Sequence, residues 1–195
     1  MAEPYGESPL AARAEALAAR SGPDAVHITE VPFKAQITLR VDPKGSGAER
    51  IGTAIHAMLP NQPGEVVHAE GALVLGLGPD EWLLVGPEGA AESISDTLTT
   101  ALDGDHGAVV DVSAHRTILE VSGPHARDLL NMGCALDLHP RSFATGRCAQ
   151  TLLARAAVVL VCRDAALPTY WLIVRSSFAR YVADWLIDAA GEYGW

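Results

Sequence analysis

The chain has 195 residues with 14 basic and 24 acidic side chains, a formal net charge of −10 at pH 7, 49% hydrophobic residues and 19% charged ones. That length holds one large domain or two small ones, and a charged share below the ~25% typical of soluble domains suggests surface covered by a partner. Residues 1–105 carry six basic and sixteen acidic side chains, and residues 106–195 eight of each, so the acid excess lies in the first half. Such a surface repels a polyanion, and no Lys/Arg block with interleaved aromatics offsets it, which excludes nucleic acid.

The first residues show no basic segment followed by an apolar one, and no apolar run approaches the ~20 residues needed to cross a bilayer. The expectation is a cytoplasmic protein without a membrane partner. Cys134, Cys148 and Cys162 are an odd number without a CxxC pair, which reads as reduced, buried thiols.

In chain order, Ser8 is placed to cap a helix over 8–20 with Pro9 at its first position, and Gly22-Pro23 to stop it. Leu10 and Leu17 are its sizeable apolar anchors, so the helix needs a surface to fold against. The low charge of the chain directs that surface to a partner, making Ser8, Pro9, Leu10 and Leu17 the candidate interface residues. An arm over 1–33 follows from this.

From residue 34 the period alternates between strand and helix. AQITLRV (35–41) predicts a strand, and Ile51, Ile55 and Leu59 a helix over 48–59. Strands follow at 66–69, 72–77 and 82–85, the last two joined by a GPDE turn. Ile94, Leu98 and Leu102 predict a helix over 89–102, and GAVVDV (107–112) a closing strand. Apart from one extra strand, the order is the ferredoxin-like βαββαβ split over 34–112.

The second half, 113–195, begins with a strand at 117–121, and Gly123-Pro124 opens a helix that Gly133 ends. Strands at 148–154, 157–163 and 170–174 are rich in Val, Leu and Ile and pair antiparallel. A last helix, 177–190, carries Phe178, Tyr181, Val182, Trp185 and Leu186 on one stripe, read as core. The fold class is therefore α+β: a ferredoxin-like unit packed against a second small α+β unit of antiparallel strands.

Catalytic chemistry is poorly represented. The seven histidines form no HExxH, His/Cys cluster or i, i+4 pair, so no metal site is expected. His125 and His139 read as helix-start and loop residues. GLGPD (76–80) and GPEG (86–89) fit neither phosphate-binding fingerprint and read as turns. Ser113 and His115 lack an assigned acid partner, and no GxSxG elbow occurs. Asp111 and Ser113 are placed to bond local backbone at a strand end, with Arg116 paired to Asp111 across the turn. No catalytic, cofactor-binding or metal residue is assigned.

The stretch from DVSAHR through VSGPHARDLL to FATGRCAQTLL resembles the folate-dependent aminomethyltransferase family of the glycine cleavage system in the order of its segments. With GPDEWLLV and LDLHPRSF, that order looks most like the gamma subunits of heterotetrameric sarcosine oxidases, over residues 8–190. Where an aminomethyltransferase has a Gly-rich turn and a paired-Asp segment, this chain reads Ala154-Arg155-Ala156-Ala157-Val158-Val159. A methyl group accepts no proton, so the carboxylate's role does not carry over. The resemblance implies an aminomethyltransferase-like fold kept without its site, inside a complex that demethylates sarcosine to glycine with hydrogen peroxide and 5,10-methylenetetrahydrofolate. It further implies FAD, FMN, NAD and tetrahydrofolate in the partner subunits, the large one folate- and dinucleotide-binding, and no cofactor on this chain. A free-standing folate-binding aminomethyl-transfer protein and an interaction module of an unrelated complex are the competing readings.

Overall fold

The computed structural model describes residues 6–19 and 26–193. After a 3-10 turn at Ala11–Arg13 come α1 (Ala14–Ala19), β1 (His27–Val31), β2 (Ala35–Val41), α2 (Ser46–Ala54), β3 (Val66–Ala69), β4 (Ala72–Gly76), β5 (Glu81–Gly86), α3 (Ala91–Leu102) and β6 (Gly107–Asp111). A second 3-10 turn, Ser113–His115, leads to β7 (Arg116–Ser122), α4 (Ala126–Asn131), β8 (Cys148–Leu153), β9 (Ala156–Asp164), β10 (Thr169–Arg175) and α5 (Ser176–Ala190).

The strands form two five-stranded antiparallel sheets, β3-β4-β5-β2-β6 and β1-β7-β10-β9-β8. They stack face to face, with Leu73, Leu75, Leu83 and Val85 of the first meeting Ile118, Val159, Val161 and Ile173 of the second. The outer face of the first sheet, through Ile37, Leu39, Val74 and Leu84, is covered by Ile51 of α2 and Leu98 of α3. The outer face of the second is covered by α4, α5 and the N-terminal segment. This layering explains the unbroken apolar runs of β5 and β9: a strand covered on both faces has no reason to alternate with polar residues. Backbone bonds from Cys148 N to Gly64 O (2.9 Å) and from Val66 N to Gly146 O (2.9 Å) stitch the sheets together at one edge.

Four expectations are corrected. HITEV, within the expected arm, is strand β1, and its Ile28 and Val31 pair with Val121 and Ile118 of β7. The N-terminal segment thus supplies an edge strand to the sheet of the second half. Ser8 does not cap the first helix: its hydroxyl donates to Glu30 Oε2 at 2.6 Å, and the helical turns start three residues later. The expected stop at Gly22-Pro23 lies outside the described residues. On α5 the apolar stripe divides, with Val182 and Leu186 buried beside Ala179, Ala183 and Ala190, while Phe178 is 44% and Tyr181 40% exposed. Alanines, whose small side chains bring the helix close to the sheet, do more of the docking than the aromatics. Finally, α2 ends at Ala54, five residues before the expected end, because the chain turns back through His56 in the left-handed region (φ 51).

Among the described residues, no helix is long and apolar enough to cross a membrane.

Candidate functional site

The turn that joins the sheets is built by Asp111 and Ser113. Asp111 Oδ1 accepts the Ser113 backbone N–H at 2.8 Å and its hydroxyl at 2.5 Å, while Ser113 Oγ accepts the Gln36 N–H at 2.9 Å. The hydroxyl proton is held by a carboxylate, so Ser113 is a structural donor and acceptor that fixes where β2 and β7 diverge. Arg116 does not pair with Asp111. It sits opposite Arg175 in the β7–β10 register, and burial, then the Arg175 charge, lowers its pKa while Glu81 opposes the shift. Buried Gln36, 1% exposed, donates its Nε2 to Arg116 O at 3.3 Å, leaving Gln36 Oε1 and Arg116 Nη1 without hydrogen-bond partners among the described residues.

Ala154-Arg155 forms the β8–β9 turn, with Ala154 in the left-handed region (φ 51) and its N–H donated to Gly133 O at 2.8 Å. Ala156 is fully buried, and Val158 and Val159 nearly so. These side chains offer neither a proton acceptor nor a hydrogen-bond partner, so the segment does not fit a folate or amine nitrogen by the carboxylate route.

The LDLHPRSF segment bonds mainly to itself. The Asp137 carboxylate accepts the Ser142 hydroxyl at 2.7 Å and the His139 N–H at 3.0 Å, which hold it below the usual carboxylate range, and His139 Nδ1 accepts the Arg141 N–H at 3.2 Å. His125 stacks on Tyr193 at 5.1 Å and meets Asp128 at 3.2 Å, beside the start of α4. Both histidines thus occupy the loop and helix-start positions read from the sequence. GLGPD is the β4–β5 turn, closed by the Leu77 and Gly78 N–H groups on Glu81 O. No group of three His, Cys, Asp or Glu stands close enough to hold a metal ion among the described residues.

Of the candidate interface residues, Leu10 and Leu17 are 0% and 2% exposed and belong to the core that includes Ile28, Leu119 and Leu186. Their side chains face this chain's own interior. Ser8 and Pro9 are half-buried. An ion pair from Arg13 to Asp184 at 2.8 Å ties the same segment to α5.

Exposed apolar surface lies elsewhere. A groove of about 540 Å³ runs along α2 and the loop after it, lined by Pro43, Gly52, Met58, Leu59 and Pro60 over buried Trp82. The Trp82 indole N–H donates to Pro60 O at 2.9 Å and anchors the loop, while Met58 at its tip is 86% exposed. Exposed apolar side chains of this kind mark contact surfaces more often than catalytic ones. Sequence reasoning missed the groove, since it placed Met58 inside the helix expected over 48–59, whereas the helix ends at Ala54 and leaves Met58 in the loop.

Residues 42–192 match the sarcosine oxidase, gamma subunit family. The sarcosine oxidase subunit gamma of Arthrobacter sp is 40% identical over 187 residues, 95% of this chain and 90% of that protein, and that of Corynebacterium sp. (strain P-1) is 38% identical over the same shares. Among solved structures, a chain of the heterotetrameric sarcosine oxidase from Corynebacterium sp. U-96, in complex with pyrrole 2-carboxylate, superposes with a TM-score of 0.88 at 38% identity, covering 96% of this chain and 95% of that one. Glycine cleavage system aminomethyltransferase T from Bartonella henselae superposes at 0.67 with 13% identity, over 84% of this chain and 46% of that one, a likeness of fold alone.

Proposed function

This chain belongs to the sarcosine oxidase gamma subunit family, and from that premise we propose that it is the non-catalytic gamma subunit of a heterotetrameric sarcosine oxidase. The observation that carries the reading is similarity across the whole chain, 38% identity and a TM-score of 0.88 against a chain of such a complex. In this reading the complex demethylates sarcosine oxidatively to glycine, forming hydrogen peroxide and 5,10-methylenetetrahydrofolate, in the cytoplasm. FAD, FMN, NAD and tetrahydrofolate are handled by the partner subunits. The gamma chain supports the large subunit's folate-handling region. The Ala154–Val159 segment, which carries no carboxylate, favours such a supporting role over catalysis by this chain.

The division into an arm (1–33), a ferredoxin-like unit (34–112) and an aminomethyltransferase-like unit (113–195) belongs to the same proposal. The strand order β4-β5-β2-β6, with α2 and α3 on one face and β3 added at the edge, supports the ferredoxin-like description. Ser8 and Pro9, half-buried ahead of the segment that Leu10 and Leu17 hold from within, are the expected interface residues whose side chains are not fully covered by this chain.

Co-purification from the native host, followed by an absorbance scan, tests the proposal. The chain is expected to elute with larger subunits in a flavin-coloured fraction that oxidises sarcosine. Elution alone, or with proteins that carry no flavin, would overturn it.

A further inference from the structure

At one end of the seam between the sheets, a pocket of about 390 Å³ is lined by Lys34, His68 and Arg163 around Trp171. Its walls, Leu73, Val85 and Pro87, are apolar. The Arg163 guanidinium carbon lies over the Trp171 ring, 4.2 Å from its centroid. The Trp171 indole N–H donates to Glu120 Oε2 at 2.8 Å, which fixes the ring that carries the guanidinium. Glu120 is also the carboxylate that acts on Arg163 through space.

Neither the Arg163 guanidinium nor the Lys34 ammonium makes a hydrogen bond or ion pair with any described residue. A guanidinium stacked on an indole is held at its face while its N–H edge stays free, the geometry that presents a two-pronged donor to a carboxylate. Lys34 adds three rotatable donors at the rim. This basic and aromatic mouth belongs to a chain with a net charge of −10, so it draws an acidic group by its local field against the charge of the surrounding surface.

We propose that the pocket formed by Lys34, Arg163 and Trp171 is a docking point for a carboxylate-bearing segment of a partner subunit, an Asp or Glu side chain seated on the Arg163 fork with Lys34 closing over it. The inference rests on the subunit reading above. An open pocket between two sheets suits a protruding protein segment better than an enclosed small molecule.

The test uses full-length chains co-expressed with the other subunits and recovered on a tag carried by the large subunit, at low salt and at ~0.5 M salt, where charge pairs are screened. Lys34→Gln/Arg163→Gln is expected to lower recovery at low salt by about tenfold or more, as loss of a charge-assisted pair does, and to weaken its salt dependence. Arg163→Lys, which keeps the charge and loses the fork, is expected to fall between, and thermal melts establish that both variants fold. Recovery of both variants equal to the unmodified chain overturns this inference alone. Failure of the unmodified chain to assemble at either salt overturns the subunit reading and this one with it. Free acetate that binds the isolated chain, together with unchanged assembly of the variants, overturns docking in favour of a small-anion site.

Discussion

The Trp185 ring lies so close to Gly133 that a Cβ built on the glycine would stand 2.5 Å from Cζ2 of the indole. The same glycine's carbonyl accepts the Ala154 N–H, so α4, the β8–β9 turn and α5 meet at this one contact.

Gly133→Ala is therefore expected to push Trp185 off its seat and cost about 1–3 kcal/mol, as overpacking does. Trp185 is only partly buried, so Trp185→Ala is expected to cost about 2–3 kcal/mol, below the ~3–5 of a fully buried aromatic. Leu186→Ala, at a fully buried position, is expected to cost about 2–5 kcal/mol. Phe178→Ser, on the exposed side of α5, is expected to stay within ~0.5 kcal/mol. Denaturant melts of the four variants check the ranking, and a Phe178→Ser effect as large as that of Leu186→Ala would show the helix docked by its aromatic face.

The burial of Leu10 and Leu17 predicts that the N-terminal segment stabilises the isolated chain. Leu17→Ala is expected to cost about 2–4 kcal/mol, and removal of residues 1–22 to lower the melting midpoint by more than that one substitution does. A midpoint unchanged by truncation would show that the segment needs a partner to dock.

Glu30 receives two hydroxyls, Ser8 Oγ on Oε2 and Thr117 Oγ1 on Oε1, each at 2.6 Å. Thr117 is buried, so Glu30→Ala leaves its hydroxyl unpaired at a cost of about 1–3 kcal/mol. Pairing the change with Thr117→Val should recover part of the loss. A double variant no more stable than Glu30→Ala would argue against an unpaired hydroxyl as the cause.

Burial raises the Cys148 and Cys162 thiols from 9.0 to about 11. A group whose folded value is raised contributes stability that is fully present below its unfolded value and is lost as pH rises through the folded one. Stability is thus expected to hold up to about pH 9 and to fall between about 9 and 11. Both thiols should resist alkylation near pH 8 in the folded chain and react once it is unfolded, since the thiolate is the nucleophile. Rapid labelling of either without unfolding would contradict this.

Local signals carried far along this chain. The alternation of Ile37, Leu39 and Val41 marks β2, and the unbroken run through Trp82, Leu83, Leu84 and Val85 marks β5, because each strand's pattern reports which of its faces are covered. The order of turn and strand motifs also carried the family resemblance, without reference to any contact. What the sequence could not determine were pairings across long separations. HITEV has two apolar residues in five, too weak a pattern to mark a strand until β7, some ninety residues later, offers it an edge. The same distance hides the destination of Leu10 and Leu17, since an apolar side chain reads alike whether its own core or a partner covers it. Arg116 shows the limit most clearly: Asp111 is five residues away and of opposite charge, yet the register of β10 sets Arg175 beside it. Sheet pairing satisfies whole ladders of backbone bonds at once, and one surface charge pair is worth too little to redirect it.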